Sequence, residues 1–191
     1  MSQTTNDRVY WTVHDLERLP DNPWVRYEII DGKLFVTRAP HWNHQTTCGR
    51  FFRQLDQWSQ TTGLGKTTIN PGVLFSEADN VIPDVVWATQ DTYHQLIDEK
   101  GHLTGAPELV IEVLSESQQD QIRDRETKLK LYSTRGVREY WIADWRSHKI
   151  EIYRRDNGQL KLVATLFSED IVTSPLLSGF SCVVKEFFPL K

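Results

Sequence analysis

Cysteine is scarce in this 191-residue sequence, which contains only Cys48 and Cys182. Two isolated thiols without a pairing pattern exclude a disulfide-stabilised scaffold and indicate a reducing compartment, so we expect a cytoplasmic protein. Because cysteines are few and the six histidines are scattered, the sequence also lacks a structural zinc signature.

Long apolar runs and an excess of basic residues are also missing. No window approaches the roughly 18 apolar residues of a membrane-spanning helix, and residues 1–7 are polar, unlike a signal peptide. We therefore expect no membrane association. The net charge of −4 does not suggest a protein that coats nucleic acid, because such proteins usually carry a basic excess.

The sequence contains no internal repeat or low-complexity segment, so we expect one domain over residues 1–191, with residues 1–11 as a flexible N-terminal arm. Apolar periodicity and turn residues predict an α/β fold in which helices flank a mixed β-sheet. Helices are expected at 12–19, 41–62, 91–100 and 120–135, and strands at 27–30, 33–36, 65–69, 73–76, 81–87, 107–114, 138–144, 148–154 and 159–166, before a packing element at 178–188.

The strand predicted at 107–114 carries a charge where its pattern demands none. Its continuous apolar run indicates burial on both faces, yet Glu112 stands in the middle of it. An unpaired buried carboxylate costs several kcal/mol or takes up a proton, so Glu112 requires a cation, a metal or a shared proton nearby.

The helix predicted at 120–135, called the long helix below, carries the complementary anomaly. On a wheel of 100° per residue, Lys128 falls between Leu131 and Tyr132 on the apolar arc. It lies about 12 Å along the helix, so a helix that folds back over its strand brings Lys128 near Glu112. A structural ion pair between Glu112 and Lys128 would also satisfy both groups without catalysis, and Asp124, four residues before Lys128, is a simpler local partner.

Asp84 is the third candidate, because Pro83 before it indicates the start or the edge of a strand. There its carboxylate could join Glu112 in a hard-oxygen site for Mg²⁺ or Mn²⁺, with the Val113 carbonyl as a further ligand. An acid after proline is also common as a plain turn residue.

The segments Pro83-Asp84 and 108–115 resemble the PD-(D/E)XK nuclease superfamily, which expects a lysine where this chain has Leu114. Lys128 is the natural replacement. Together with Tyr27–Gly32, His44, Tyr132 and 136–144, these segments resemble the Uma-two family of restriction-type endonucleases over about 12–190. The resemblance implies a restriction-endonuclease-like fold and Mg²⁺-dependent phosphodiester cleavage.

The resemblance also implies a metal-ligating or water-positioning role for Glu28 and accessory roles for His44 and Tyr132. Read from the residues alone, Glu28 fits a cross-strand charge, His44 a solvated or capping residue, Tyr132 a core aromatic and Glu139 a surface charge.

The leading hypothesis is a homodimeric, metal-dependent DNase in which Asp84, Glu112, Lys128 and Glu28 are catalytic. The dimer rests on analogy with small nucleases. RNA or branched DNA are alternative substrates. A catalytically silent module that binds nucleic acid or protein is the alternative function, favoured by the acidic net charge.

Overall fold

A six-stranded sheet forms the centre of the computed structural model, which describes residues 9–189. Its strands follow the order β10-β9-β8-β7-β6-β3. Only β7 and β8 run parallel among these neighbours, so the sheet is mixed. The strands are β3 (Gly65–Ile69), β6 (Val85–Thr89), β7 (Leu109–Val113), β8 (Glu139–Asp144), β9 (Lys149–Asp156) and β10 (Gln159–Leu166).

Two smaller sheets complete the strand set of the described residues. The first has the order β2-β1-β5-β4 and consists of β1 (Val25–Ile30), β2 (Lys33–Arg38), β4 (Val73–Ser76) and β5 (Asp79–Val81). In the predicted β1–β2 hairpin, Asp31 and Gly32 both have positive φ, which explains the Asp-Gly turn. The second pairs β11 (Ile171–Ser174) with β12 (Leu177–Val183).

Helices cover both faces of the central sheet. They are α1 (Val13–Leu16), α2 (Trp42–Thr62), α3 (Gln90–Leu96), α4 (Gln118–Ile122) and α5 (Leu129–Arg135), with a π-helix at Arg123–Lys128 and a 3₁₀-helix at Val184–Phe187. The helix α2 ends at Gly63, whose left-handed φ of 68° closes its last turn. No helix within 9–189 is long and apolar enough to cross a membrane.

Burial of β7 on both faces follows from its alternating side chains. Ile111 packs with Phe51 and Leu55 of α2 on one face, whereas Val110 and Leu114 pack with the helical segment on the other. The helical segment 118–135 leads the chain from β7 back to the parallel strand β8, as a parallel pair requires. The predicted fold class is confirmed.

Several predicted elements differ from the structure. The single strand expected at 81–87 is two strands in different sheets, because the chain breaks at Ile82–Asp84, where Pro83 cannot donate to a ladder. The long helix contains the π-helix, and the helices expected at 12–19 and 91–100 are shorter. The tail contains the β11–β12 hairpin rather than one packing element.

The predicted N-terminal arm falls mostly outside the described residues, since 1–8 are not described. At its end, the Trp11 amide donates a hydrogen bond to the Gly32 carbonyl at 2.8 Å.

Candidate metal centre

A pocket of about 250 Å³ opens where β1, the start of β6, the end of β7 and the π-helix meet. Its walls contain six carboxylates (Glu28, Asp84, Glu112, Glu116, Asp120 and Asp124) and four arginine or lysine side chains (Arg26, Arg38, Arg123 and Lys128). Four of the carboxylates, those of Glu28, Asp84, Glu112 and Asp124, are buried. Buried acid therefore exceeds buried base, which favours a bound cation.

Glu112 and Lys128 meet inside the protein. Lys128 Nζ lies 2.9 Å from Glu112 Oε1, and the Tyr132 hydroxyl donates to the same oxygen at 2.8 Å. Both Glu112 and Lys128 are only 3% exposed. The sequence-based placement of Lys128 near Glu112 thus agrees with the structure, and Tyr132 is a core aromatic that also holds this carboxylate.

Glu28 reaches the same amine from the smaller sheet. Its Oε1 lies 3.1 Å from Lys128 Nζ and accepts a hydrogen bond from the Ile82 amide at 2.9 Å. The cross-strand alternative for Glu28 is wrong, because the side chain is buried in the pocket rather than paired along the hairpin. The Ile82 contact also anchors the chain where it passes between the two sheets.

Asp84 is fixed by three neighbours. Its Oδ2 accepts the Val113 amide at 2.9 Å and lies 3.3 Å from His44 Nε2, while its Oδ1 lies 3.4 Å from Arg26 Nη1. Burial by itself would raise the pKa of Asp84, but His44, the Val113 amide and Lys128 lower it to about 2. Asp84 is therefore a stable anion.

His44 is neither a cap nor a solvated residue, because it lies buried in α2. The helix cap is His41, whose side chain accepts from the Asn43 amide. Burial lowers the pKa of His44, but its charge interaction and hydrogen bond with Asp84 outweigh burial and raise it. The pairing with Asp84 thus widens the pH range over which His44 stays protonated and donates to Asp84.

A second set of potential ligands, His44, Cys48 and Asp84, has donor atoms within 4.8 Å of one another. The imidazole, however, faces Asp84 with Nε2 and Cys48 with Nδ1, the latter at 3.5 Å. Burial also raises the pKa of the Cys48 thiol, so the thiolate that metals bind is disfavoured. This set shares Asp84 with the carboxylate cluster, whose hard oxygens suit Mg²⁺ or Mn²⁺ better than a thiol does.

The three carboxylates around Lys128 outnumber its single charge. Burial disfavours the charged amine, but Glu112, Glu28 and Asp124 outweigh it and raise the pKa of Lys128. Burial raises the pKa of Glu112 to about 8. Lys128 lowers this pKa, whereas Asp84, Asp124 and Glu28 raise it further. A carboxyl group of this kind binds a proton, or a metal in its place.

The sequence reasoning missed Arg26, Arg123 and, as a site residue, Asp124. Asp124 is buried in the π-helix, and burial raises its pKa to about 7 although Lys128 and Arg123 lower it. The four-residue spacing from Lys128 was a usable signal, since it places both on one side of a helix. Nothing in the sequence pattern brings Arg26 to the pocket, because its position depends on how the smaller sheet docks.

Val113 lines the pocket, and its amide is already bonded to Asp84.

Glu139, expected on the surface, is buried instead. Its carboxylate accepts from Trp141 Nε1 at 2.9 Å and from Arg154 Nε at 2.8 Å, and both partners explain why burial is tolerated.

Comparison with solved structures finds proteins to which this chain is similar. A protein from Anabaena variabilis ATCC 29413, described as a putative nuclease belonging to DUF820, has a TM-score of 0.74 at 17% identity, over 93% of this chain and 97% of that one. The type IIG restriction endonuclease BpuSI has a TM-score of 0.34 at 20% identity, over 75% of this chain and 14% of that one. Among curated proteins no match is found.

A mixed sheet flanked by helices with this likeness defines a restriction-endonuclease-like α/β fold. The family model Uma2, described as "Putative restriction endonuclease", matches residues 13–185, and the chain belongs to that family. The resemblance identified from the sequence is confirmed.

Proposed function

We propose that this protein is an endonuclease that hydrolyses phosphodiester bonds in DNA with the help of Mg²⁺ or Mn²⁺. The observation that carries the proposal is the pocket in which Lys128 meets buried Glu28 and Glu112 beside Asp84. Hard oxygen ligands in acid excess suit these ions. Family membership supports the nuclease class.

Asp84, Glu112 and the Val113 carbonyl would hold the ion. When bound, such an ion polarises a phosphoryl oxygen and lowers the pKa of a water molecule. Asp84 is suited to this task because it stays ionised, and the Val113 amide fixes its orientation. His44 positions Asp84 from the other side.

Lys128 acts as a fixed positive charge. Because the surrounding carboxylates raise its pKa, it remains protonated and does not serve as a general base. Its ammonium group orients the attacking water and stabilises the negative charge that develops on the phosphoryl oxygens. Glu28 is a secondary acid that holds the amine at 3.1 Å, and Tyr132 holds Glu112 from the core.

A catalytically silent binding module is the second candidate. Two observations favour it: the Asp84 carboxylate already contacts both His44 and Arg26, and the net charge is −4. In this alternative the ion pairs stabilise the fold and hold no metal.

Cleavage assays distinguish the two. Plasmid DNA, single-stranded and branched oligonucleotides and RNA are incubated with Mg²⁺ or Mn²⁺ and the wild type, Asp84→Asn, Glu112→Gln or Lys128→Met. We expect metal-dependent cleavage of DNA by the wild type and a loss of about 100-fold or more in each variant. Glu126→Gln, which changes an exposed acid outside this pocket, is the control. An inert wild type, or variants that cleave like the control, would overturn the proposal.

A further inference from the structure

Asp124 has an acceptor atom that the protein leaves unused. Among residues 9–189, four buried side-chain polar atoms have no hydrogen-bond partner, and two of them, Arg123 Nε and Asp124 Oδ1, belong to consecutive residues that line the same pocket. Asp124 is only 4% exposed. A buried carboxylate oxygen without a partner is costly, so this position requires an explanation.

The neighbouring cations do not supply the missing contact. Lys128 Nζ lies 3.8 Å from Asp124 Oδ1, and Arg123 Nε lies 4.0 Å from it, both beyond hydrogen-bond length. Lys128 is drawn instead to Glu112 and Glu28, at 2.9 and 3.1 Å. The amine therefore serves two other carboxylates at hydrogen-bond distance, and Asp124 Oδ1 keeps only the two longer charge contacts.

The backbone holds Asp124 in this arrangement. It lies in the π-helix Arg123–Lys128, where the Tyr140 hydroxyl donates to the Asp124 carbonyl at 3.0 Å. Single π-helical turns are rare and occur frequently at functional sites. The segment thus presents an unpaired acid to the pocket at a cost in stability.

We propose that Asp124 is a further ligand of the divalent-cation site, and that its Oδ1 binds the ion or one of its coordinated waters. This inference rests on the proposed function, because it concerns the same pocket. A hard cation or its water fills the empty contact and balances the acid that Lys128 does not neutralise. The Arg123 Nε donor next to it then suits a phosphate oxygen bound at the ion.

The test measures Mn²⁺ binding and thermal stability in Asp124→Asn. The control is Glu126→Gln, which removes the same charge two residues along the π-helix from an exposed side chain that lines a different pocket. Mn²⁺ affinity is measured by titration calorimetry, and the melting temperature is recorded with and without Mn²⁺. Neither readout depends on cleavage.

We expect Asp124→Asn to weaken Mn²⁺ binding about 10- to 100-fold. Without Mn²⁺ the variant should melt about 2–4 °C higher than the wild type, because the cost of burying a carboxylate oxygen without a hydrogen-bond partner is gone. Glu126→Gln should change neither value. A carboxylate with a purely structural role would give the opposite sign, a lower melting temperature with unchanged Mn²⁺ affinity, and that result would overturn the inference.

The outcomes separate the two proposals. If the wild type binds Mn²⁺ and Asp124→Asn binds it equally well, only the role of Asp124 is refuted. If the wild type binds no Mn²⁺, the metal-dependent function fails, and the role of Asp124 fails with it.

Discussion

Replacing Lys128 with methionine tests the charge balance of the pocket most directly. Methionine keeps the length of the side chain but removes the amine that lies 2.9 Å from Glu112 and 3.1 Å from Glu28. Breaking a buried ion pair by removing one partner costs about 3–5 kcal/mol. Since small proteins have about 5–15 kcal/mol of stability in total, the variant should be severely destabilised at pH 8.

The cost should depend on pH in a defined direction. Without the amine, the buried carboxylates take up protons in the folded state that they release in the unfolded state above about pH 4.5. Where the folded state binds more protons, stability falls as pH rises. The destabilisation by Lys128→Met should therefore grow between pH 6 and pH 8 by about 1.4 kcal/mol per pH unit for each carboxyl group that holds a proton in the folded variant but not in the folded wild type.

Urea denaturation followed by tryptophan fluorescence at pH 6 and pH 8 measures this effect. Lys130→Met is the matched control, because Lys130 is two residues away and exposed. The double variant Glu112→Gln/Lys128→Met should recover part of the lost stability, since it removes one of the buried carboxylates that Lys128 no longer pairs with. If Lys128→Met and Lys130→Met unfold at the same urea concentration at both pH values, the argument for an unbalanced buried cluster is refuted.

Three further predictions concern the same structure. Wild-type stability should fall between pH 5 and pH 8, because a Glu112 pKa raised to about 8 makes the folded state bind more protons than the unfolded state in that range. In thermal melts, Glu112→Gln should flatten this dependence of stability on pH. An equally steep dependence in the variant would contradict this. His44→Ala should lower the free energy of unfolding by about 1–3 kcal/mol. Because the pKa of His44 is raised by Asp84, the loss should be larger at pH 5.5 than at pH 8.5, and a pH-independent loss would argue against the pair. Glu139→Gln should cost about 1–3 kcal/mol by weakening the contact with half-exposed Arg154, and calorimetry should show Mn²⁺ affinity unchanged.

The sequence predicted the meeting of Glu112 and Lys128 because each residue contradicts its local apolar pattern. A charge in a buried strand and a charge on an apolar helix face both need compensation, and the crossover connection allows only a small range of placements. The same reasoning succeeded for the two faces of β7, since side-chain alternation is a strictly local property.

The parts that could not be predicted depend on contacts between distant segments. Arg26 and Asp84 are 58 residues apart in the chain. They meet only because the smaller sheet docks against the central one. Glu139 begins a strand and looks solvated in the sequence, but its partner Arg154 lies directly opposite on β9. The wheel used for the long helix assumed α-helical geometry throughout, whereas Arg123–Lys128 is a π-helix.

Lys128 lies away from the position where the superfamily pattern expects a lysine. At the position where the superfamily pattern expects an amine, Leu114 is fully buried and packs in the cluster that contains Tyr132. An amine placed there would lose that packing, while Lys128 reaches the Glu112 carboxylate from the helix instead. Lys128 thus brings a positive charge next to two acids, Glu112 and Glu28, from a different place in the chain. A motif search that requires lysine at position 114 would reject this protein, whereas the energetic cost of an unpaired buried Glu112 leads to Lys128 without reference to the motif.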